Sequence, residues 1–384
     1  MKATIFGMLP PLKIISPYCL RFLKAVSKET EVEFIGFKNL YPRNPDKGSD
    51  DIRIQNATVR NMLNWYDPFS WIRAGLTARG DVMHFQWCSF FTFYPAFMTA
   101  LLASKARGKK SVLTIHDIVP HNTSKLKRLL NDFSIKFANV LGSDFIVHSG
   151  KNKDLLTSMF GINGGRIHVI PHGVTPLDSS ETISKEDARS HLGISSDKKV
   201  ILNFGAIRDY KGVDVLLKSF KQVSNAVPNS LLLIAGRPCK KGKDKGWADY
   251  EKIISENGLE GSVKASLGFI PESEIKNYFS ASDLVVLPYT RFESQSGVGA
   301  LALSYRKPLL VSDVGGLMDL VRNESAVVRA GDADDLSRKI VKIISDDDLL
   351  KSLSDDSEAL SKQFDWSVIA KSTVELYDKL ASEA

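Results

Sequence analysis

Short apolar runs alternate with longer amphipathic segments from one end of this chain to the other. Strands are predicted at Ala3–Phe6, Val32–Phe37, Val82–Phe85, Ser111–Ile115, Asp144–Val147 and Ile167–Ile170. A second series follows at Val200–Phe204, Leu231–Ala235, Val263–Leu267, Leu284–Leu287, Pro308–Val311 and Ala326–Val328. Helix-length segments separate them, among them Pro17–Lys28, Ser124–Asn139, Asp214–Asn225, Glu272–Ser280 and Asp334–Ser345. Runs rich in Val, Ile and Leu have no polar side to turn to water. They require parallel strands covered on both faces by helices, an α/β protein. Twelve such strands in 384 residues exceed one core, so two lobes are expected.

The boundary falls after Ile170-Pro-His-Gly-Val174, where a polar stretch from Asp178 to Ser184 precedes a fresh strand. Residues 1–174 and 175–366 form the two expected Rossmann-like domains, and a last helix over 367–384 is placed back on the first. Two such lobes face across a cleft and bind ligands at the carboxyl ends of their strands. With 43% apolar and 25% charged residues, the chain is an ordinary folded one. Cys19, Cys88 and Cys239 are odd in number and far apart, which disfavours a disulfide framework and a zinc ribbon. The N-terminus shows no signal-peptide pattern, and a cytoplasmic setting is expected.

Charge is uneven. Residues 1–175 hold 23 basic and 12 acidic side chains, and the remainder holds 28 and 32. A basic half suits an anionic partner.

Three segments carry the chemistry. Asn203-Phe-Gly-Ala-Ile-Arg-Asp-Tyr-Lys-Gly212 joins a strand to a helix and sets Arg208 and Lys211 beside Gly205. Guanidinium and ammonium groups near a helix N-terminus form a diphosphate clamp. The stretch is neither a P-loop nor GxGxxG, so NAD is disfavoured. Next, Leu287-Pro-Tyr-Thr-Arg-Phe-Glu-Ser-Gln-Ser-Gly-Val298 ends a strand and opens a helix. Free N–H groups at that start suit phosphate or sugar oxygens, and Glu293 suits sugar hydroxyls. Last, Asp313-Val-Gly-Gly316 follows another strand as a tight turn.

In this order, together with Leu231-Leu-Leu-Ile-Ala-Gly236, Leu267-Gly-Phe-Ile-Pro271 and Ala281-Ser-Asp-Leu-Val-Val-Leu-Pro288, these segments resemble the retaining glycosyltransferases of family four, which have the GT-B fold. The first half resembles them more loosely, through Val112-Leu-Thr-Ile-His-Asp117, Phe145-Ile-Val-His-Ser149 and Ile170-Pro-His-Gly-Val174. The resemblance implies a nucleotide-diphosphate sugar donor, a glycan or polyprenyl-diphosphate-linked acceptor and no metal. It implies that Arg208 and Lys211 hold the diphosphate and that Glu293 meets the transferred sugar. Gly205, Gln295, Ser296, Gly297 and Val298 would line the sugar and phosphate. Gly236, Arg237, Phe269 and Ile270 would border the base, and His116 would lie at the reacting sugar. In the same implied scheme Gly7, Pro10, Pro11 and His84 lie on the acceptor side.

One position departs from the family pattern. A second glutamate usually follows the first by eight positions and holds the ribose, but residue 301 is Leu301. The run Gln295-Ser-Gly-Val298 resembles a subgroup lacking that glutamate. Two further readings therefore stand beside a transferase: an epimerase acting on its sugar nucleotide alone, and a nucleotide-binding scaffold without turnover.

Six of seven histidines precede residue 173: His84, His116, His121, His148, His168 and His172. They lack metal-ligand spacing. Asp332-Ala-Asp334 and Asp346-Asp-Asp348 read as helix starts, not metal sites. Phe90, Phe91, Phe93, Tyr94 and Phe97, followed by Lys105, Arg107, Lys109, Lys110, Lys125, Lys127 and Arg128, are expected either as a core helix with a solvated turn or as a patch for an anionic membrane surface. No nucleic-acid recognition motif is visible.

Overall fold

The computed structural model describes residues 1–12, 15–42, 47–88, 93–118, 125–175, 177, 182–239, 245–292 and 296–383. It divides into two compact units, one formed by residues 1–173 with 366–384 and the other by residues 174–365.

The first unit is built on β1 (Lys2–Gly7), β2 (Glu31–Asn39), β3 (Ala57–Asn64), β4 (Val82–Trp87), β5 (Lys110–Ile115), β6 (Asp144–Val147) and β7 (Ile167–Val169). These strands pair in the order β3-β2-β1-β4-β5-β6-β7, parallel throughout. Helices α1 (Ser16–Glu29), α2 (Pro68–Thr77), α3 (Phe93–Lys105), α4 (Lys125–Val140) and α5 (Gly150–Phe160) connect them. The strand-to-helix alternation of the sequence therefore has one component it did not announce. β3 is an edge strand in which only Asn61 and Leu63 are buried, so its pattern lacks a continuous apolar run.

The second unit has α6 (Lys185–Leu192), β8 (Lys199–Phe204), α7 (Val213–Ala226), β9 (Ser230–Gly236), α8 (Trp247–Glu256), β10 (Val263–Leu267) and α9 (Glu272–Ala281). Then come β11 (Leu284–Leu287), α10 (Gly297–Ser304), β12 (Leu309–Ser312), β13 (Val327–Val328), α11 (Ala333–Ile344) and α12 (Asp347–Gln363). Its sheet runs β10-β9-β8-β11-β12-β13, again parallel. β11 and β12 are buried at every position, which explains why their sequences read as uninterrupted apolar runs. Asp332 and Asp346 cap α11 and α12 by accepting from the Asp335 and Leu349 amides at 2.9 Å, so both acidic triplets serve as helix starts.

Apolar layers sandwich each sheet. In the first unit, Phe6, Phe37, Phe85, Phe97, Ile135 and Leu156 fill one face under α2–α5. The other face lies under α1 and α13 (Trp366–Ser382), the terminal helix, with Phe22, Leu23, Trp366 and Tyr377 at its centre. The aromatic run settles with this core. Phe93, Tyr94 and Phe97 are buried against Phe37, Trp87 and Phe6, so they supply no membrane patch. Phe90 and Phe91 lie outside the described residues. No helix among the described residues is long and apolar enough to cross a membrane.

Trp366 anchors α13. Its ring is buried, 5.2 Å from Tyr18, and a methyl on Gly173 would lie 2.2 Å from it. Trp366→Ala is expected to destabilise the first unit by about 3–5 kcal/mol through the cavity left behind. The measurement is the urea midpoint of that unit's transition, and an unchanged midpoint would refute the anchor.

Candidate functional site

Strand order in each sheet reverses at one place, between β1 and β4 in the first unit and between β8 and β11 in the second. At such a switch point the loops leaving neighbouring strands part, and a ligand finds room at their carboxyl ends.

In the second unit, backbone bonds tie these loops together. Gly205 N–H donates to Ala235 O at 2.8 Å, Ile207 N–H to Arg237 O at 2.9 Å and Gly268 N–H to Gly236 O at 3.1 Å. Thr290 N–H donates to Tyr210 O at 2.8 Å. Two glycines permit the close approach. Gly236 has φ +152° and a Cβ there would lie 1.9 Å from Gly205 O. Gly212 has φ +67° and a Cβ there would lie 1.9 Å from Pro288 O.

This loop cluster encloses Lys211. The side chain is buried, its ammonium donates to Tyr289 Oη at 2.9 Å and it lies 4.8 Å from the Tyr289 ring centre. A Cβ on Gly205 would lie 3.4 Å from Lys211 Nζ and 3.1 Å from Val298, which places the start of α10 beside the cation. Tyr289 Oη is also 3.2 Å from Ser296 Oγ, and Ser296 caps α10 by accepting from Gly299 N–H at 3.3 Å. The Gly297 and Val298 N–H groups, in the first turn, have no acceptor within the helix. Arg208 is half-buried and close enough to repel the Lys211 charge.

Burial lowers the Lys211 pKa, and the hydroxyls of Tyr289 and Tyr210 more than offset it, for a net rise. Among the described residues neither Lys211 nor Arg208 has a carboxylate within ion-pair distance. Two adjacent cations, one buried, beside a helix N-terminus form a site for an anion.

The other expected donor residues line the same edge. Gly236, Arg237, Phe269 and Ile270 stand on the loops after β9 and β10, with Arg237 exposed and Phe269 projecting into solvent. Glu293 and Gln295 lie outside the described residues. Leu301 packs against the apolar core with Val298 and Phe292, an environment without polar function. Tyr289 is the participant that motif reading missed. Its signal is a tyrosine directly after the Pro288 that ends a buried strand.

In the first unit the histidines gather into a chain. His84, expected on the acceptor side, is instead fully buried on β4, bonded to Tyr377 Oη of α13 and, at 2.6 Å, to Thr114 Oγ1. The physical reason is its place on a central strand covered by α13. The Gln86 side chain links it onward, 3.2 Å from His84 Nε2 and 2.9 Å from His116 Nε2. His116 Nδ1 is 3.3 Å from His148 Nε2, and His148 Nδ1 donates to Ile170 O at 2.9 Å. Tyr18 lies edge-on to His116 and His172, with ring centres 4.6 and 4.9 Å away. Both His116 nitrogens are thus engaged by protein. Gly7, Pro10 and Pro11 follow β1. Gly7 is packed against Phe34 and Cys19, and the Pro10–Pro11 peptide is cis.

Proton counting fixes the direction of this chain. A carbonyl only accepts, so His148 Nδ1 carries a proton. With Gln86 Oε1 toward His116 Nε2 and its amide nitrogen toward His84, as placed, His116 and His148 would share an additional proton. With the amide turned over, so that its N–H donates to His116 Nε2, every ring is neutral and each donor finds an acceptor. Burial pushes the pKa of His84 to about 3 and of His148 to about 4, and holds that of His116 well below the usual range. The neutral arrangement follows, with His116 donating from Nδ1.

Two family descriptions match this chain. Residues 184–359 match glycosyl transferases group 1, and residues 40–176 match glycosyltransferase family 4. An uncharacterized glycosyltransferase of Methanocaldococcus jannaschii is 26% identical, over 60% of this chain and 58% of its own. A D-inositol 3-phosphate glycosyltransferase of Nocardioides sp. is 24% identical, over 75% of this chain and 66% of its own. The chain therefore spans less than two thirds of these relatives' length. Among solved structures, the Anabaena protein HepE in complex with UDP superposes with a TM-score of 0.75 at 17% identity, covering 99% of this chain and all of that one. The two share a fold.

Neutral buried histidines make stability depend on pH with a definite sign. The unfolded chain binds protons near pH 6.5, whereas His84 and His148 bind them only near 3 and 4. Their contribution is complete above pH 6.5 and is lost as the pH falls towards 4. Each is expected to lower stability by up to about 1.4 kcal/mol per pH unit in that window. Urea midpoints between pH 8 and 5 test this, and a midpoint that stays level from pH 6.5 to 5 would contradict the neutral chain.

Proposed function

This chain belongs to the group 1 glycosyltransferases of family 4, with the GT-B fold, and on that premise we propose that it transfers a sugar, with retention, from a nucleotide-diphosphate sugar to a glycan or lipid-linked acceptor. The observation that carries the reading is the buried Lys211 ammonium, next to Arg208, with the Tyr289 hydroxyl as its hydrogen-bond partner and the first turn of α10 beside it.

In this reading the donor diphosphate lies on Arg208, Lys211 and the Gly297 and Val298 amides. The developing negative charge of the leaving diphosphate meets groups already in position, so little reorganisation opposes the step. These groups supply the positive charge without a metal ion. Gly205 and Gly236 leave the loop edge open to the nucleotide, with Arg237, Phe269 and Ile270 at the base. Glu293 and Gln295 take the transferred sugar. HepE binds UDP and UDP-glucose, which supports a uridine donor here. Leu301 offers no ribose contact, so ribose recognition falls to the loops after β9 and β10.

We assign the acceptor to the first unit, whose basic balance suits a polyprenyl diphosphate, in the assembly of a bacterial surface polysaccharide or glycolipid. His116 joins the reaction by exchanging its longer bond, the 3.3 Å one to His148, for a substrate oxygen, to which Nδ1–H donates.

Thermal shifts with UDP, GDP, ADP, dTDP and CMP test the donor site. A ligand at 100 times its Kd adds about 2.7 kcal/mol of stability. UDP is expected to stand out. Lys211→Met should abolish the shift without lowering the melting temperature of the free protein, since it removes a buried charge. Arg208→Ala should cut kcat by about 10²–10³. No shift from any nucleotide would favour a scaffold, and turnover without an acceptor would favour an epimerase.

A further inference from the structure

Helix α4 is amphipathic in the inverse sense. The side it turns to the core carries Asn131, Ser134, Ile135 and Ala138, small or polar except for one isoleucine. Its bulky apolar residues, Leu126, Leu129, Phe133 and Val140, recur at helical spacing on the opposite side, each more than half exposed. Phe133 also stacks with Phe137, ring centres 6.2 Å apart. Burying an apolar stripe is the ordinary reason for a helix to have one, and this stripe is not buried within the unit.

The neighbouring helices extend it. α3 packs between α2 and α4 on one face of the sheet, and α2 lies so close to α3 that a methyl on Gly75 would meet Ala100 O at 2.3 Å. Outward from this layer point Phe69, Ile72 and Leu76 of α2 and Leu102 of α3. Of the sixteen exposed large apolar side chains among the described residues, eight stand on these three helices, which make up 39 of the 384 residues. The surrounding charge is of one sign. Residues 66–110 and 125–140 contain ten lysines and arginines against Asp67, Asp81 and Asp132. Lys125, Lys127, Arg128 and Lys136 are exposed on α4 itself.

We propose that the outward face of α2, α3 and α4 docks on an anionic lipid bilayer, with Leu126, Leu129, Phe133, Val140 and Phe69 entering the headgroup boundary and the basic side chains meeting lipid phosphates. The charge complementarity selects a bilayer over a second copy of this chain, because a second copy would bring an equally basic face against it. The expected patch on α3 is thereby replaced by one made from residues that α3 does not bury.

The test is flotation of the full chain with phosphatidylcholine vesicles, with and without phosphatidylglycerol. Binding is expected only with phosphatidylglycerol and should weaken as salt rises. The double variant Leu129→Ser, Phe133→Ser should lose at least tenfold in partition, and Lys125→Glu, Arg128→Glu a similar amount at low salt. Both should keep the melting temperature and the UDP shift of the parent, which separates loss of docking from loss of fold or of the donor site. Absence of flotation with anionic vesicles, flotation of the apolar double variant at the parent level, or a concentration-dependent dimer that these variants dissociate would each overturn the proposal.

Discussion

The second unit is organised around a positive charge held out of water without a described negative partner. Lys211 reaches its place because Gly205 and Gly236 let two strand-end loops touch, and because Gly212 lets the next helix begin beneath Pro288 O. Tyr289 joins the ammonium to Ser296, the cap of α10. One hydroxyl thus couples the loop after β8 to the helix after β11, the two elements that flank the switch point. Burying a cation without a carboxylate costs free energy that a bound anion would offset.

The first unit solves a different problem with different chemistry. Its central strands carry His84, Gln86 and, beyond their ends, His116 and His148, polar groups that are buried or, for His116, half-buried. A chain in which each member donates once and accepts once lets them remain uncharged. The Ile170 carbonyl at one end decides the direction, and the Tyr377 hydroxyl, able to donate or accept, completes the chain at the other. Because Tyr377 belongs to α13, the terminal helix does more than cover the sheet. It supplies the hydroxyl that pairs with His84 Nδ1 and closes that end of the chain.

Much of this was legible in the sequence, and the limits have physical causes. Strands buried on both faces, such as Leu284–Leu287, advertise themselves because every position must be apolar. The edge strand β3 does not, since water covers part of it. Arg208, Lys211 and the helix start at Ser296 could be singled out because each stands where a strand gives way to a helix, and Gly236 came with the family resemblance; that they share one loop edge comes from the fold. Tyr289 was not, because its role comes from contacts made across the fold. His84 misled for a related reason. A histidine on a central strand looks like a site residue until the helix that covers it, nearly 300 residues later, is seen to supply its partner.

Helices α3 and α4 show most clearly what periodicity leaves open. Both carry aromatic and aliphatic residues, α4 among basic ones and α3 just before them, and α3 reads as a membrane element or a core element. Periodicity reports that a helix has an apolar side but not which way that side faces. α3 turns its side inward because Phe93 and Phe97 find Phe37, Phe6 and Phe85 already lining the sheet. That aromatic cluster fills the space above β1 and β4, and α4, displaced towards β5 and β6, meets the sheet and its neighbours through smaller side chains. Asn131 donates to Ile118 O at 2.9 Å and Ser134 Oγ to Met98 Sδ of α3 at 3.1 Å, so the inner side of α4 is held partly by hydrogen bonds. Its large apolar residues are then left for the outside. The same packing that makes one helix core makes the next one surface.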